Sequence, residues 1–466
     1  MYIWYFALVI LGCVGLYFTV KSNFVQIGML KESCKLSFLG FKKSDISEKK
    51  KVMSSFQAFC VSMGSRVGVG NISGVALALI YGGPGAIFWM WVFAFVGAAS
   101  SFIECTIGQI YKEKGEEGLF HGGPAYYIKN ALNKRKLAIF IAILIIITYS
   151  ICFMQVQANT ICDAFVNAFS VNQWIIAIII TIISAIVVFG GITRVARVSS
   201  WLVPIMAFVY LVMALIIISV NFNQIPQVFS LIFQSAFGVS QITGAAFGMA
   251  IIWGVKRGAF SNEAGIGSIP NVASSAKVKH PVHQGLMQSL GVIIDTHVVC
   301  SATAFMILLL GDYSKYITSE SINGVTLVQN LLQKLSFLHE SAPLIIAIFI
   351  LAFAFSSMIG YYSMGETNVI FFTRNSNYLW VFRFIVTIMI FIACISKFDI
   401  VWGMADIFMA IMCFVNLVVL IFIGKYAIEA LKDYKNQRKS GIEEPIFDPS
   451  ILSSQKGITS WPDREN

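Results

Sequence analysis

Long runs of apolar residues separated by short polar loops dominate the chain. About eleven of these runs reach the length of roughly 20 residues that a helix needs to cross a hydrocarbon core of about 30 Å. They cover approximately residues 2–20, 54–80, 85–111, 137–168, 173–190, 199–220, 238–270 with interruptions, 284–310, 343–364, 378–396 and 401–424. Runs this long and without alternation are typical of helices and not of barrel strands. The pattern therefore predicts an all-α polytopic membrane protein with about 11 transmembrane helices.

The composition agrees with this class. Of the 466 residues, 57% are hydrophobic and 12% are charged, whereas a soluble protein needs about a quarter of its residues charged. The nine cysteines form no CxxC pair, so we expect them to be small buried apolar side chains. A net charge of +10 without a basic soluble domain gives no support to a nucleic-acid partner.

The lysines and arginines predict the orientation of the chain in the membrane. Nearly all 33 of them lie in alternate loops and in the C-terminal tail, and only Lys315, Lys334 and Lys397 lie in the opposite loops. Because cytoplasmic loops are enriched in basic residues, we expect an external N-terminus and a cytoplasmic C-terminus. The location expected for such a chain is a bacterial plasma (inner) membrane.

The same pattern suggests how the chain is organised. Residues 1–20 lack a basic leader and a cleavage site, so they read as an N-terminal transmembrane helix and not as a signal peptide. We expect a basic cytoplasmic connector at 21–53, a ten-helix core at 54–424 and a polar cytoplasmic tail at 425–466. From about residue 432 the tail has no apolar periodicity, which predicts poor order.

Two of the predicted spans contain segments that break helices. The string GSRVGVGNISG covers 64–74, and WGVKRGAFSNEAGIGS covers 253–268. Each glycine in a helix interior costs roughly 0.5 to 1 kcal/mol relative to alanine. Without the first span, these segments lie in the first and sixth of ten spans, as two inverted five-helix repeats require. We therefore predict repeats at 54–220 and 238–424. Glycines at 244, 248, 254 and 258 permit two positions for the second break, and 257–262 is favoured because about two dozen residues then remain to reach the next span.

A helix break inside a membrane is a predicted binding site. It frees amide groups at the start of the following half-helix and carbonyl groups at the end of the preceding one. Amides suit an anion and carbonyls suit a cation. Since hydrocarbon tolerates such backbone only where protein or a cavity surrounds it, the two breaks predict a site near the middle of the bilayer.

Ionisable residues within or beside the spans are further candidates. They are Arg66, Glu104, Asp163, Asp295 and Glu366. Each either forms a structural ion pair or lies at a water-facing end, or it takes part in ion coupling or gating. The sequence leaves both interpretations open.

Uncharged polar residues also occur inside spans. Gln157 and Thr160 are three residues apart and can share a helix face. Ser356 and Ser357 supply adjacent hydroxyl groups that suit an alkali cation. The alternative for both pairs is hydrogen bonding or close packing between helices.

Long strings in the chain resemble the alanine or glycine:cation symporter family, also called sodium:alanine symporters. They are GVGNISGVALALIYGGPGAIFWMW from 68, HGGPAYYI from 121, KRGAFSNEAGIGS from 256 and HPVHQGLMQSLGVIIDTHVVCSATA from 280. The family is similar in fold to the leucine-transporter type. The resemblance implies sodium-coupled symport of a small neutral amino acid, alanine or glycine, into the cell, with sodium as the co-transported ion.

The resemblance also implies residues for each ligand. The amides of Val69 and Gly70 would hold the substrate carboxylate, with Asn71 bracing the break. The amino group and small side chain would face Gln157, Phe260, Ser261 and Asn262, and Tyr361 would shape the pocket floor. Sodium would bind the carbonyls of Gly64 and Val67 and the hydroxyls of Ser356 and Ser357.

Two positions depart from the family pattern. Val69 stands where the family usually has threonine, and Tyr361 stands where it commonly has tryptophan. The departures bear on the preferred amino acid and the coupling ion, and not on the fold. A proton-coupled transporter of the same fold and a non-transporting amino-acid receptor are therefore kept as alternatives.

An enzyme is not expected. The string HGGP at 121–124 resembles an oxyanion loop, but the chain has no GxSxG nucleophile motif, and we predict no catalytic residue. The expected partners are the amino acid, sodium and membrane lipid.

Overall fold

The computed structural model describes residues 2–47, 53–115, 119–238, 244–311, 323–335 and 339–461. The chain begins with α1 (Tyr2–Lys21), followed by the short α2 (Val25–Gly28) and by α3 (Leu30–Ser47). Helix α1 packs against helices of the core, and α3 continues the predicted connector as a helix along the core.

The remaining described elements are almost all helices. They are α4 (Ser55–Arg66), α5 (Val75–Gly82), α6 (Gly85–Ile110), β1 (Glu113–Lys114), β2 (Phe120–His121), α7 (Pro124–Leu132), α8 (Arg135–Ile145), α9 (Met154–Phe169), α10 (Gln173–Val188), α11 (Gly191–Val220), α12 (Ile225–Ala236), α13 (Gly244–Asn262), α14 (Ile269–Ala273), α15 (Val282–Ile293), α16 (Ser301–Leu309), α17 (Gly324–Leu332), α18 (Ala342–Phe372), α19 (Ser376–Ile395) and α20 (Phe398–Lys439). The two strands form an antiparallel pair.

Three π-helical segments join consecutive helices. Gly70–Gly74 leads into α5, Ile146–Phe153 joins α8 to α9, and Ile294–Cys300 joins α15 to α16. The second and third lie inside continuous helical runs of 35 and 28 residues. A π-turn widens a helix locally and often marks a functional position, and all three segments here contribute residues to the centre of the molecule.

In the described ranges, eight helices are long and apolar enough to cross a membrane, or nine if the bent pair of α4 and α5 counts as one span. This confirms an all-α polytopic membrane protein. The two other predicted spans, 173–190 and 238–270, correspond to α10, which has only 16 residues, and to α13, which carries Lys256 and Arg257. The total of eleven therefore stays a prediction.

The first helix break lies where the glycines predict it. Helix α4 ends at Arg66, and the axis turns by 45° before the chain continues through Gly70–Gly74 into α5. The start of α4 is fixed by a capping box, in which the Ser54 hydroxyl accepts from the Gln57 amide and the Gln57 side chain accepts from the Ser54 amide. A well-capped start and a glycine-rich end place the bend inside the span.

The second break lies at 263–268, so its predicted position at 257–262 is wrong. Helix α13 continues to Asn262, and the chain then enters the left-handed region at Glu263 (φ 54°), Gly265 (φ 78°) and Gly267 (φ 90°). The two glycines adopt this conformation without steric cost. A side chain at Gly267 would also press on the Asn416 side chain, 2.8 Å away.

Lys256 and Arg257 remain helical and share one distant carboxylate, which balances one of their two charges. Asp406 of α20 accepts from Lys256 Nζ at 2.5 Å and from Arg257 Nη2 at 2.6 Å. The Arg257 guanidinium also lies 4.7 Å from the Trp402 ring. These contacts offset part of the cost of burying two cations within a helix.

The buried carboxylate of Glu104 holds the second break together. Its two oxygens accept from the amides of Gly265 (3.2 Å) and Gly267 (3.1 Å), and one also accepts from Asn416 Nδ2 (2.9 Å). The Asn416 amide also donates to the Gly265 carbonyl (2.9 Å). Glu104 thus satisfies backbone donors that the break removed from the helix.

The other ionisable candidates have varied partners. Glu366 forms an ion pair with Arg383 at 3.0 Å, and the Asp163 carboxylate accepts from Asn323 Nδ2 at 2.9 Å. Arg66 instead donates to neutral acceptors, which are described with the site. The structural interpretation therefore fits Glu366 and Asp163.

The C-terminal tail is ordered up to residue 461, so its predicted poor order is wrong there. Trp461 is 9% exposed and donates from Nε1 to the Gln109 carbonyl at 3.0 Å. The Lys112 ammonium lies between the rings of Phe120 (4.0 Å) and Trp461 (4.9 Å). The residues in these contacts are far apart in sequence, so no local pattern of apolar residues could have predicted that the tail is ordered.

The tail also covers His280, in the loop before α15. His280 is completely buried, its Nε2 lies 3.2 Å from Asp433, and its ring packs edge-on against Phe447. Burial lowers the pKa of His280, and Asp433 opposes that shift. The Phe447 amide donates to the Lys279 carbonyl, which fixes the tail over this loop.

We expect Glu104→Ala to destabilise the protein strongly. It would leave the amides of Gly265 and Gly267 buried without an acceptor, at about 1–3 kcal/mol each. A melting curve of the purified protein should show a clearly lower Tm for this variant, and an unchanged Tm for Glu340→Ala, since Glu340 is exposed. Equal Tm values for the two variants would contradict the role given to Glu104.

We expect Trp461→Ala to release the tail. Loss of a buried Trp side chain costs about 3 kcal/mol or more, which corresponds to a roughly 100-fold larger released population. Limited trypsin digestion should then cut after Lys456 correspondingly faster. Ile442→Ala is the control because Ile442 is 45% exposed in the same tail, and similar cleavage rates for both variants would exclude Trp461 as the anchor.

Candidate functional site

The first helix break is the centre of the candidate site, because four helices meet there. Its glycines allow a close approach: a Cβ at Gly64 would lie 3.4 Å from Ser356 of α18. A Cβ at Gly68 would overlap the hydroxyl of Ser357, and one at Gly70 would lie 3.1 Å from Phe260 of α13. The break segment can touch its neighbours only because these positions lack side chains.

Three of the four residues predicted for sodium, Gly64, Ser356 and Ser357, come together on one side of the break. The hydroxyls of Ser356 and Ser357 donate to the Gly64 carbonyl at 3.3 and 2.8 Å. Each hydroxyl also lies within hydrogen-bond distance of the Phe353 carbonyl. Val67 caps the end of α4 with ψ 82°, so its carbonyl leaves the helical direction. Ser356 and Ser357 are buried. Among the described residues, the partners of their hydroxyls are carbonyl oxygens, and the Met206 sulfur also lies near the Ser356 hydroxyl.

Gln157 of α9 contacts the break on its other side. Its Oε1 accepts from the Val69 amide at 3.1 Å, and its Nε2 is buried without a hydrogen-bond partner among the described residues. The Asn71 side chain accepts from the Gly68 amide at 2.9 Å, which is the bracing role predicted for it. The Val69 amide, which is predicted to hold the substrate carboxylate, thus donates to Gln157 in this conformation.

Asp295 connects the two broken helices. It lies in the π-helical segment Ile294–Cys300 and accepts from Asn71 Nδ2 at 2.7 Å and from the Ser261 hydroxyl at 2.8 Å. Asn71 belongs to the first break, and Ser261 lies near the end of α13. The Thr296 hydroxyl, 3.1 Å away, is a third donor.

Aromatic side chains close the site. The Phe260 ring stacks between those of Phe153 (4.6 Å) and Trp402 (4.9 Å). The Tyr361 hydroxyl donates to the Ser65 carbonyl at 3.0 Å, and its ring packs against that of Phe153. All of these residues are buried, so the arrangement is closed to solvent.

Other predicted positions have structural roles in this conformation. Asn262 Nδ2 donates to Thr296 Oγ1 at 3.1 Å, while its Oδ1 accepts from the Ala264 amide. The Thr160 hydroxyl donates within α9 to the Val156 carbonyl at 2.9 Å, so it does not join Gln157 at the break.

Sequence reasoning missed Phe153, Trp402 and Glu263 as neighbours of the site. Phe153 and Trp402 are ordinary aromatic residues in apolar runs, and only the fold brings them to Phe260. Glu263 could have been found as an acidic residue within the glycine-rich break.

Arg66 lies beside both breaks. Its Nε donates to the Asn262 carbonyl at 2.8 Å, its Nη1 to the Gln288 carbonyl at 3.0 Å and its Nη2 to Ser101 Oγ at 2.9 Å. It is 1% exposed. Arg66 thus joins the end of α4 to the end of α13 through neutral acceptors.

Comparison with known proteins gives a consistent result. The model of the sodium:alanine symporter family matches residues 1–449. The probable sodium/glutamine symporter GlnT of Bacillus subtilis is 43% identical, covering 98% of this chain and 93% of its own length.

Two further relatives extend the comparison. The amino-acid carrier protein AlsT of Bacillus subtilis is 42% identical over 100% of this chain and 96% of its own. The sodium/alanine symporter AgcS of Methanococcus maripaludis is 32% identical over 93% and 95%. This chain therefore belongs to the sodium:alanine symporter family and is a multi-pass membrane protein that couples amino-acid symport to sodium or protons.

Proposed function

We propose that the protein is a sodium-coupled symporter that carries a small neutral amino acid, alanine or glycine, into the cell. The observation that carries this proposal is the contact of Ser356 and Ser357 with the Gly64 carbonyl, at the end of a broken transmembrane helix. Carbonyls at the ends of half-helices are typical ligands for a transported cation. Sodium would be bound by Gly64, Val67 and the two hydroxyls.

The amino acid would bind beside sodium. Gln157 Nε2 is a buried donor without a described partner, and an amide N–H suits the substrate carboxylate, not its ammonium group. We therefore place the carboxylate between Gln157 and the amides of Val69 and Gly70, in place of the expectation from the resemblance that Gln157 faces the amino group. The ammonium group would face the hydroxyl of Ser261 and the carboxylate of Asp295.

The aromatic residues favour a small substrate. Phe153, Phe260 and Trp402 form a continuous stack, and Tyr361 closes the adjoining side. The relative named for glutamine makes a larger substrate the competing possibility. Alanine or glycine would need less displacement of this stack than glutamine.

The position of the two breaks supports the leucine-transporter-like architecture. They lie in the first and sixth helices of the proposed ten-helix core, residues 54–424, and they touch the third and eighth. The proposed arrangement has inverted repeats at 54–220 and 238–424, the N-terminus outside and the C-terminus in the cytoplasm. The basic loops support that orientation.

Coupling requires sodium to prefer one conformation of this core. Sodium at Gly64 and Ser357 links α4 to α18, so it would stabilise the arrangement in which the substrate site is complete. Rocking of the helices around the breaks then exposes the site inward. A membrane potential of 100 mV adds about 2.3 kcal/mol per sodium ion, roughly a 50-fold accumulation.

We expect uptake of radiolabelled alanine and glycine by proteoliposomes to be saturable and to require an inward sodium gradient. In Ser356→Ala/Ser357→Ala, loss of two ligands at about 1 kcal/mol each should raise the half-saturating sodium concentration by about 30-fold. Ser363→Ala is the control on the same helix, because that hydroxyl bonds only within α18 at 2.7 Å.

Other outcomes would favour the alternatives. Uptake that ignores sodium but follows a pH gradient would indicate the proton-coupled transporter. Saturable binding of alanine without accumulation would indicate the receptor. An unchanged sodium dependence in the double variant would remove the cation from Ser356 and Ser357.

We expect Gln157→Glu to raise KM for alanine by about 10- to 100-fold. The variant replaces a donor with a negative charge beside the substrate carboxylate, which costs about 1.5–3 kcal/mol. Gln234→Glu is the control, since Gln234 is exposed and bonds to Ser230. An unchanged KM in Gln157→Glu would exclude the carboxylate from this position.

A further inference from the structure

Glu263 is a buried acid whose carboxylate oxygens form no well-aligned hydrogen bond. It follows the last residue of α13, has a left-handed backbone with φ 54°, and is completely buried. Neither of its carboxylate oxygens has a hydrogen-bond partner within the described ranges. An ionised carboxylate in such a place costs several kcal/mol.

Two more oxygen atoms near it are also unsatisfied. The hydroxyls of Tyr149 and Ser268 are buried and, within the described ranges, form no hydrogen bond. The Ser268 hydroxyl is a neighbour of both the Glu263 carboxylate and the Tyr149 hydroxyl. Tyr361, whose hydroxyl donates to the Ser65 carbonyl, is a second neighbour of Glu263. The three side chains come from Ile146–Phe153, from the residue before α14 and from α18, so the cluster is assembled by the fold.

The charges around Glu263 do not balance if every group is ionised. The charged groups that act on it are Arg66 and Asp295, and Glu104 also acts on Arg66 and Tyr149. Three buried carboxylates therefore share one guanidinium, which itself donates to Asn262, Gln288 and Ser101.

The three carboxylates differ in their donors. Glu104 accepts from two backbone amides and Asn416, and Asp295 accepts from Asn71, Ser261 and Thr296. In both, hydrogen bonds from several donors stabilise the ionised form. The neighbours of Glu263 that can donate are the hydroxyls of Ser268 and Tyr361, and neither carboxylate oxygen forms a well-aligned hydrogen bond with them, so a bound proton would relieve the cost of its buried charge.

We infer that Glu263 is a proton-binding residue of this protein, at a position separate from Ser356 and Ser357. The proton comes from bulk water and returns to it, and no covalent bond other than the O–H bond changes. With the proton bound, the neutral acid can share a hydrogen bond with Tyr149 or Ser268. Because Glu263 directly follows Asn262 at the second break, its proton would travel with the conformational change of the proposed symport cycle.

Infrared difference spectroscopy on the reconstituted protein tests the protonation state without requiring transport. Wild type minus Glu263→Gln at pH 7 should show the C=O stretching band of one protonated carboxyl group per chain. Glu340→Gln is the control, because Glu340 is exposed and its difference spectrum should show only an ionised carboxylate. A carboxylate band in the Glu263→Gln difference would overturn the inference.

A second variant keeps Glu263 in place. Tyr149→Phe removes one neighbouring hydroxyl and should shift the frequency of the same band, which tests the cluster even if Glu263→Gln does not fold. Sodium is tested in the Ser356→Ala/Ser357→Ala background. Disappearance of the band on adding sodium there would make Glu263 a sodium ligand and overturn its assignment to a proton.

The consequence for uptake rests on the proposed function. In wild type, alanine uptake should depend on pH, and in Glu263→Gln most of that dependence should be lost while sodium dependence remains. If wild type shows no uptake at all, the proposed function fails and the infrared result still decides the inference. An unchanged pH profile in a folded Glu263→Gln would contradict the coupling of this proton to transport.

Discussion

Backbone groups inside a membrane must be hydrogen-bonded within the protein, and the central part of this molecule depends on how that requirement is met. Breaking α4 and α13 releases amides that water would otherwise bind. Polar side chains accept from them instead: Asn71 of the break itself and Gln157 of α9 at the first break, and Glu104 of α6 at the second. The breaks are therefore stable only as part of the assembled bundle.

The same contacts join the two breaks into one unit. Asp295 accepts from Asn71 and from Ser261, so a carboxylate on a third element holds both broken helices. Arg66 adds a second connection through the Asn262 carbonyl. A ligand that moves one break must disturb bonds to the other, which is the physical basis on which sodium and an amino acid can influence each other.

The sequence predicted those features of the structure that depend on neighbouring residues in the chain. The glycines of 64–74 predicted the first break, and the adjacent hydroxyls of Ser356 and Ser357 suggested a cation site, whereas their contact with the Gly64 carbonyl was implied only by the family resemblance. The apolar runs predicted the membrane helices, because the length of a span depends only on consecutive residues.

Contacts between distant residues could not be predicted in this way. The sequence favoured a break at 257–262, but Asp406, about 150 positions away from Lys256 and Arg257, allows the helix to continue to Asn262. Trp461 orders a polar tail by binding Gln109. In both cases the deciding partner is brought close only by the fold, and one sequence without an alignment of relatives carries no signal for it.

The central claim is that both helix breaks form one ligand site. Hydrogen exchange measured by mass spectrometry on the reconstituted protein tests it most directly, through peptides that cover 64–74 and 253–268. Sodium and alanine together should slow exchange in both peptides, with little change in the tail peptide that contains Trp461. Protection of only one break, or of neither, would contradict the account.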